Sequence, residues 1–180
     1  MPESGETVRT FVAVLLSEAA AREAERLLDR LRPLARCRWV TRAQLHITLR
    51  FLGELSPAAV ERVRSAVAAV AVQPFDIELR RAGAFPDLAR PRTLWLGGDR
   101  GASELTALAG RVNDALFGVG IPRNDRPFSP HLTLARSDGS PLPPALMREL
   151  ERVPSVAWRC SDISLMRSRL TPRGAVYTRL

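Results

Sequence analysis

The 180-residue chain contains only two histidines, His46 and His131, and each heads the same four-residue word. The first word is His46-Ile47-Thr48-Leu49 and the second is His131-Leu132-Thr133-Leu134. In a β-strand, successive side chains point to opposite faces, so the aliphatic residues of each word turn one way while His and Thr share the other. Each strand would thus anchor itself with leucine and isoleucine and present an imidazole beside a hydroxyl. One such word would be weak information. Its recurrence around both histidines is a stronger signal.

Several chemistries compete for such a pair. A zinc site needs three or four His, Cys or carboxylate ligands, and neither word contains an acid. Covalent catalysis needs a nucleophile held by a base, and neither cysteine lies near a histidine in sequence. Two imidazoles can instead divide acid and base work, since histidine titrates near neutrality and one ring can be protonated while the other is not. That suits in-line displacement at phosphorus, with one ring deprotonating the attacking oxygen and the other protonating the departing one. Thr48 and Thr133 can then donate hydrogen bonds to non-bridging phosphate oxygens, and no metal or other cofactor is needed.

The elements that would position these groups alternate along the chain. Thr7 to Leu16 reads as a strand, and Ser17 caps a helix whose apolar face is Ala20, Ala24, Leu27, Leu28 and Leu31, ending at Pro33. Trp39-Val40 starts a short strand and Leu45 to Leu52 forms a clearer one. Ser56-Pro57 opens a second helix with Val60, Val63, Val67 and Val70 on one face, ended by Pro74. Phe75 to Arg81 alternates as a strand, Gly83 to Arg92 reads as a loop, and Thr93 to Leu96 as a strand with Trp95 in the core. Ser103 opens a third helix, carrying Leu105, Leu108, Val112 and Leu116. A long turn leads to a strand at His131 to Ala135, then a short helix over Pro143 to Val153. Strand-like segments from Val156 to Met166 and Gly174 to Leu180 close the chain. The two histidine words fall at similar places in two similar halves, a hint of internal duplication.

Composition sets outer limits. Hydrophobic residues make up 46% of the chain, enough for a single domain spanning residues 1–180, and no apolar run approaches the roughly 20 residues that cross a bilayer. The run Val12 to Leu16 is short, with Glu3, Glu6 and Glu18 around it, and reads as a first strand rather than a signal peptide. Cys37 and Cys160 are far apart and read as free thiols of a cytoplasmic protein. The net charge is +8, with every basic residue an arginine, which suggests a polyanionic partner, although genome composition can give the same bias.

The paired words resemble those of the 2H phosphoesterase superfamily. The flanking stretches narrow the resemblance: "RTFVAV", "LHITLRFLGEL", "GAFPDLARPRTLWLG" and "FSPHLTLAR" are similar to the bacterial and archaeal RNA 2',3'-cyclic phosphodiesterases, historically called 2'-5' RNA ligases. The resemblance runs from Arg9 to Tyr177. It implies an α+β fold of two lobes related by a pseudo-twofold, with antiparallel-rich sheets, outer helices and an active-site groove between the lobes. It implies hydrolysis of a terminal 2',3'-cyclic phosphate of RNA, or of a cyclic nucleotide, to a 2'-phosphomonoester. His46 matches the family's proton donor, His131 its proton acceptor, Thr48 and Thr133 its phosphate-contacting threonines, and Arg136 an arginine associated with phosphate binding. Strict alternation puts Arg136 on the face opposite His131, so it can reach the site only if the strand ends or bends there. Arg167 stands where the family pattern has a glutamate, and Ser168 and Tyr177 are read as structural. Phe11 and Phe128 are read as core residues, with base stacking the alternative for each. A monomer without membrane association is expected. A 2'-5' ligase running in reverse, a non-catalytic RNA-end binder, and a scaffold with incidental histidines are the competing readings.

Overall fold

In the computed structural model, the structure describes residues 7–180; Glu3 and Glu6, used above to read the N-terminus, lie outside the described residues. The elements run β1 (Val8–Leu15), α1 (Glu18–Leu31), β2 (Arg38–Trp39), β3 (His46–Leu55), α2 (Pro57–Ala68), β4 (Phe75–Leu79), β5 (Arg81–Phe85), β6 (Thr93–Gly97), α3 (Ala102–Phe117), β7 (Leu132–Arg136), α4 (Pro144–Leu150), β8 (Val156–Cys160), β9 (Ser164–Thr171) and β10 (Gly174–Arg179). Every strand pairing among the described residues is antiparallel. The main path is β10-β9-β1-β3-β7-β6-β5, with β2 beside β7, while β4 and β8 form a separate ribbon. The two histidine-bearing segments occupy the middle of that path. They are joined by one residue pair, Ile47 with Leu132, so the two halves of the sheet meet where the two words meet.

The helices cover one face of the sheet. Ser17 accepts a hydrogen bond from the Ala20 amide and Ser56 from the Ala59 amide, which satisfies donors that the first turns of α1 and α2 would otherwise leave open. Pro57 takes the first position of α2, where a missing N–H costs nothing. Leu27, Leu28 and Leu31 of α1, Val63 of α2, and Leu105, Leu108 and Val112 of α3 are buried against Val12, Val14, Ile47, Leu94, Leu96, Leu132 and Leu134 of the sheet. That core holds the aliphatic members of both words. The opposite face carries a small apolar cluster, Phe11, Ala13 and Met166, with Leu15 and Tyr177 against it.

Four expectations change. Phe75 to Arg81 is two strands, because the chain leaves the β4–β8 ribbon at Arg80 and enters the main sheet as β5; the Arg80 amide donates to the Gly97 carbonyl at the crossing. Gly83 to Phe85 therefore belong to β5 rather than to a loop. Val156 to Met166 likewise splits at Ser161–Ile163 into a ribbon strand and a main-sheet strand. Finally, α3 starts at Ala102 after Gly101, not at Ser103. Gly101 has φ +84°, and a Cβ there would come within 2.6 Å of the Asp76 carbonyl oxygen, so a glycine is what lets the chain turn into the helix against β4. Cys37 and Cys160 are both free thiols, and burial raises the Cys160 pKa to about 11.

Candidate active site

The Ile47–Leu132 pair fixes the relation between the two words. Continuing the antiparallel register one residue each way sets His46 beside Thr133 and Thr48 beside His131, all four turned away from the helices. Ile47 and Leu132 are fully buried on the core side, whereas His46, Thr48, His131 and Thr133 are half-buried. His131 itself lies one residue ahead of β7 rather than within it.

Each ring is held by a backbone carbonyl two residues upstream. His46 Nδ1 lies 2.7 Å from the Gln44 carbonyl oxygen and His131 Nδ1 lies 2.7 Å from that of Ser129. A carbonyl only accepts, so both Nδ1 atoms carry hydrogen and, in the neutral rings, both Nε2 atoms present a lone pair. Thr48 Oγ1 stands 2.9 Å from His46 Nε2 and donates its hydroxyl hydrogen to it. Among the described residues, His131 Nε2 makes no such bond. The two words are thus alike in sequence and unlike in hydrogen bonding.

The chain upstream of His46 is built to hold Gln44. A turn at Arg42–Gln44 is closed by a capping box in which the Thr41 hydroxyl accepts from the Gln44 amide and Gln44 Oε1 accepts from the Thr41 amide. Arg42 pairs with Glu18 and Glu25 of α1, while Gln44 Nε2 donates to the Ala175 carbonyl of β10 at 2.7 Å. The same turn thereby locates the His46 ring and the strand that carries Tyr177.

Aromatic side chains flank both imidazoles. Phe11 lies 4.8 Å from the His46 ring and Tyr177 meets that ring edge-on at 5.2 Å. Phe85 meets the His131 ring edge-on at 4.9 Å and touches Trp95 at 5.3 Å. These walls exclude water, and burial is the main reason both histidines sit below the ordinary imidazole range. The Gln44 and Ser129 carbonyls work against that shift. The charge of His131 lowers His46 further, and that of Arg136 lowers His131 further, so the three groups feel one another's fields.

Arg136 reaches the histidine face because of a bulge. In β7, Thr133 opposes Trp95 but Ala135 opposes Leu94, which leaves Leu134 as the extra residue. Leu134 and Ala135 are both buried on the core side, and the alternation restarts one residue late. Arg136 then shares a face with Thr93, and its Nη1 donates to Thr93 Oγ1 at 2.6 Å. β3 has the equivalent device: Thr48 opposes Ala13 but Arg50 opposes Val12, so Leu49 is the extra residue. There the consequence is reversed. Arg50 stays on the core side, is 9% exposed, and donates from Nη2 to the Pro122 carbonyl in the segment leading to His131. Among the described residues its Nε and Nη1 have no hydrogen-bond partner, and burial lowers its pKa against the opposing influence of Asp125.

Several residues of this face escaped the reading of the sequence. Trp95 is not in the core: it is half-buried beside Thr133, its ring laid over Gly83, where a Cβ would come within 2.4 Å of it. The alternation of Leu94 and Leu96 against Thr93 and Trp95 held that information. Tyr177, read as structural, touches His46, and Ser168 is buried opposite it on β9. Phe11 packs at 2% exposure, as expected, and Phe128 packs against the main core. Arg38 also stands here, paired through β2 with Arg136. Among the described residues, no group of three or more His, Cys, Asp and Glu side chains could hold a metal ion, and no helix is long and apolar enough to cross a membrane.

A paired His-x-Thr face on two linked antiparallel half-sheets defines a phosphoesterase-like architecture, and comparison with known proteins agrees. Residues 17–172 match the family model of the 2'-5' RNA ligase superfamily, and the chain belongs to that family. It is 34% identical over 177 residues to an RNA 2',3'-cyclic phosphodiesterase of Aquifex aeolicus, covering 95% of this chain and 94% of that one. A protein of the same name from Aeropyrum pernix is 39% identical over 138 residues, covering 75% and 78%. Among solved structures, a Thermus thermophilus protein superposes with a TM-score of 0.78 at 32% identity over 96% of this chain and 94% of that one. Escherichia coli LigT complexed with 3'-AMP gives 0.76 at 26% identity over 97% and 96%.

Proposed function

We propose that this protein is an RNA 2',3'-cyclic phosphodiesterase that opens a terminal cyclic phosphate to a 2'-phosphomonoester. The single observation that carries the reading is the pair of half-buried imidazoles set on one face by the Ile47–Leu132 register, each with its Nδ1 tied to a carbonyl. Family membership and relatives named RNA 2',3'-cyclic phosphodiesterase supply the substrate class.

His131 is the base. Its Nε2 lone pair is unencumbered, and the low pKa imposed by burial and by Arg136 keeps the ring neutral. It takes a proton from water as that water attacks phosphorus in line with the departing O3'. His46 is the acid: protonated on Nε2 once the phosphate anion lies beside it, it delivers that proton to O3'. The P–O3' bond breaks, the P–O2' bond survives, and the new P–O bond comes from water. Thr48 and Thr133 donate to the non-bridging oxygens, where charge grows, and Arg136, steered by Thr93, supplies positive charge. No cofactor takes part in this scheme. One domain of residues 1–180, acting as a cytoplasmic monomer on RNA ends, completes the reading.

The test is turnover of a nucleoside 2',3'-cyclic phosphate by the purified protein and by His46→Ala and His131→Ala. Each variant should lose about a hundredfold or more, the scale of a missing general acid or base. Wild-type rates in either folded variant would remove the mechanism.

A further inference from the structure

Cross-strand neighbours share a face, and like charges set directly opposite each other destabilise a sheet. Arg38 of β2 is opposite Arg136 of β7, and Arg136 is in turn opposite Thr93 of β6. Next along, Trp39 and Ala135 turn to the core, so Arg38 projects on the histidine side. Several other surface arginines are paired with acids: Arg30 with Glu149, Arg81 with Asp99, Arg100 with Asp76 and Arg123 with Asp114. Neither Arg38 nor Arg136 has a carboxylate partner among the described residues. Two cations held in register without an acid between them make a place for a polyanion.

Their roles differ. Arg136 is aimed by its bond to Thr93 and is close enough to act on His131. Arg38 is exposed, on the far side of Arg136 from Thr93, in the short strand that precedes the turn holding His46. An RNA end brings two phosphates to such a pair: the reacting cyclic phosphate and the phosphodiester that joins the terminal nucleotide to the rest of the strand. A nucleoside 2',3'-cyclic phosphate brings only the first.

We propose that Arg38 binds the first internucleotide phosphate upstream of the reacting end, so that the protein discriminates an RNA strand from a free nucleotide. This rests on the phosphodiesterase reading for the identity of the end. The role is one of positioning and selection: guanidinium to phosphodiester, with two N–H donors facing two non-bridging oxygens.

The experiment measures equilibrium binding of two product-like ligands, a nucleoside 2'-phosphate and a trinucleotide ending in 2'-phosphate. Wild type, Arg38→Ala and Arg38→Lys are compared at several salt concentrations. For the trinucleotide, Arg38→Ala should weaken binding about tenfold and reduce the slope of log K against log salt by about 0.7, the single-strand value for one phosphate. Arg38→Lys should restore the slope and part of the affinity. Binding of the nucleoside 2'-phosphate should stay within about twofold. An unchanged trinucleotide slope in Arg38→Ala would overturn the assignment; equal weakening of both ligands would overturn it too, by placing Arg38 on the reacting phosphate. Turnover of the matching cyclic substrates by the same wild-type preparation is scored separately. Absence of turnover sinks the phosphodiesterase reading while leaving the Arg38 result to stand or fall on the binding data.

Discussion

Replacing Thr48 with valine removes one hydroxyl and keeps the β-branched shape of a strand residue. In the free protein, that hydroxyl donates to His46 Nε2 at 2.9 Å. During reaction it must leave the ring, which is then protonated, and turn to a phosphate oxygen. Two energies follow. The ground-state bond, between neutral groups at a half-buried position, has a net worth of about 1 kcal/mol. The donor to the transition state is worth about 3 kcal/mol, the loss seen when one preorganised donor is deleted. The second exceeds the first by about 2 kcal/mol, so Thr48→Val should lower kcat by roughly thirtyfold, with a small effect on stability. A bond to the neutral ring also favours the neutral form, so its loss should raise the His46 pKa. The assay is steady-state hydrolysis of a nucleoside 2',3'-cyclic phosphate across pH, with circular dichroism and thermal melting as fold controls. Thr48→Ser, which keeps the hydroxyl, should retain most of the rate. If Thr48→Val folds and turns over like wild type, Thr48 is only a strand former and the charge-stabilisation argument fails.

Further outcomes follow from the same geometry. The kcat/KM profile should be a bell displaced to the acid side of the ordinary histidine range near 6.5, since burial lowers both imidazoles, whereas the kcat bell should lie at higher pH because a bound anion favours their protonated forms. Both limbs belong to the pair, and coincident bells would contradict the account. Stability carries the opposite signature: with both folded pKa values depressed, the unfolded chain binds more protons below about pH 6.5, so stability falls as pH drops through that value and gains nothing above it. Urea midpoints at about pH 7.5 and 5 should therefore differ less in a His46→Gln, His131→Gln double variant than in wild type. Gly83→Ala should cost about 1–3 kcal/mol in urea unfolding, because the Trp95 ring fills the space of the new methyl and must move.

Much of the site was legible before the fold was known. Strand alternation alone put His46 with Thr48 and His131 with Thr133, and both pairs do face away from their leucines. Alternation failed where a bulge intervened. Leu134 is an ordinary leucine in sequence, and nothing local marks it as the extra residue that returns Arg136 to the histidine face. Long-range contacts were equally hidden. Tyr177 meets His46 only because β9 and β10 add to the edge of β1, and Arg38 meets Arg136 only because two residues of β2 pair with β7. The sheet switch at Arg80 was hidden for the same reason: Arg80 and Arg81 interrupt the alternation of Phe75, Ile77 and Leu79, but nothing local says that the hydrogen-bond partners change there.

The central claim is that His46 protonates O3' while His131 activates water, and this fixes which ester bond survives. Incubation of the protein with a nucleoside 2',3'-cyclic phosphate, with the 2'- and 3'-phosphate products resolved by chromatography, tests it most directly. The account predicts the 2'-phosphate as sole product, formed at least about a hundredfold more slowly by either histidine-to-alanine variant. Formation of the 3'-phosphate, or no turnover by the intact protein, would contradict it.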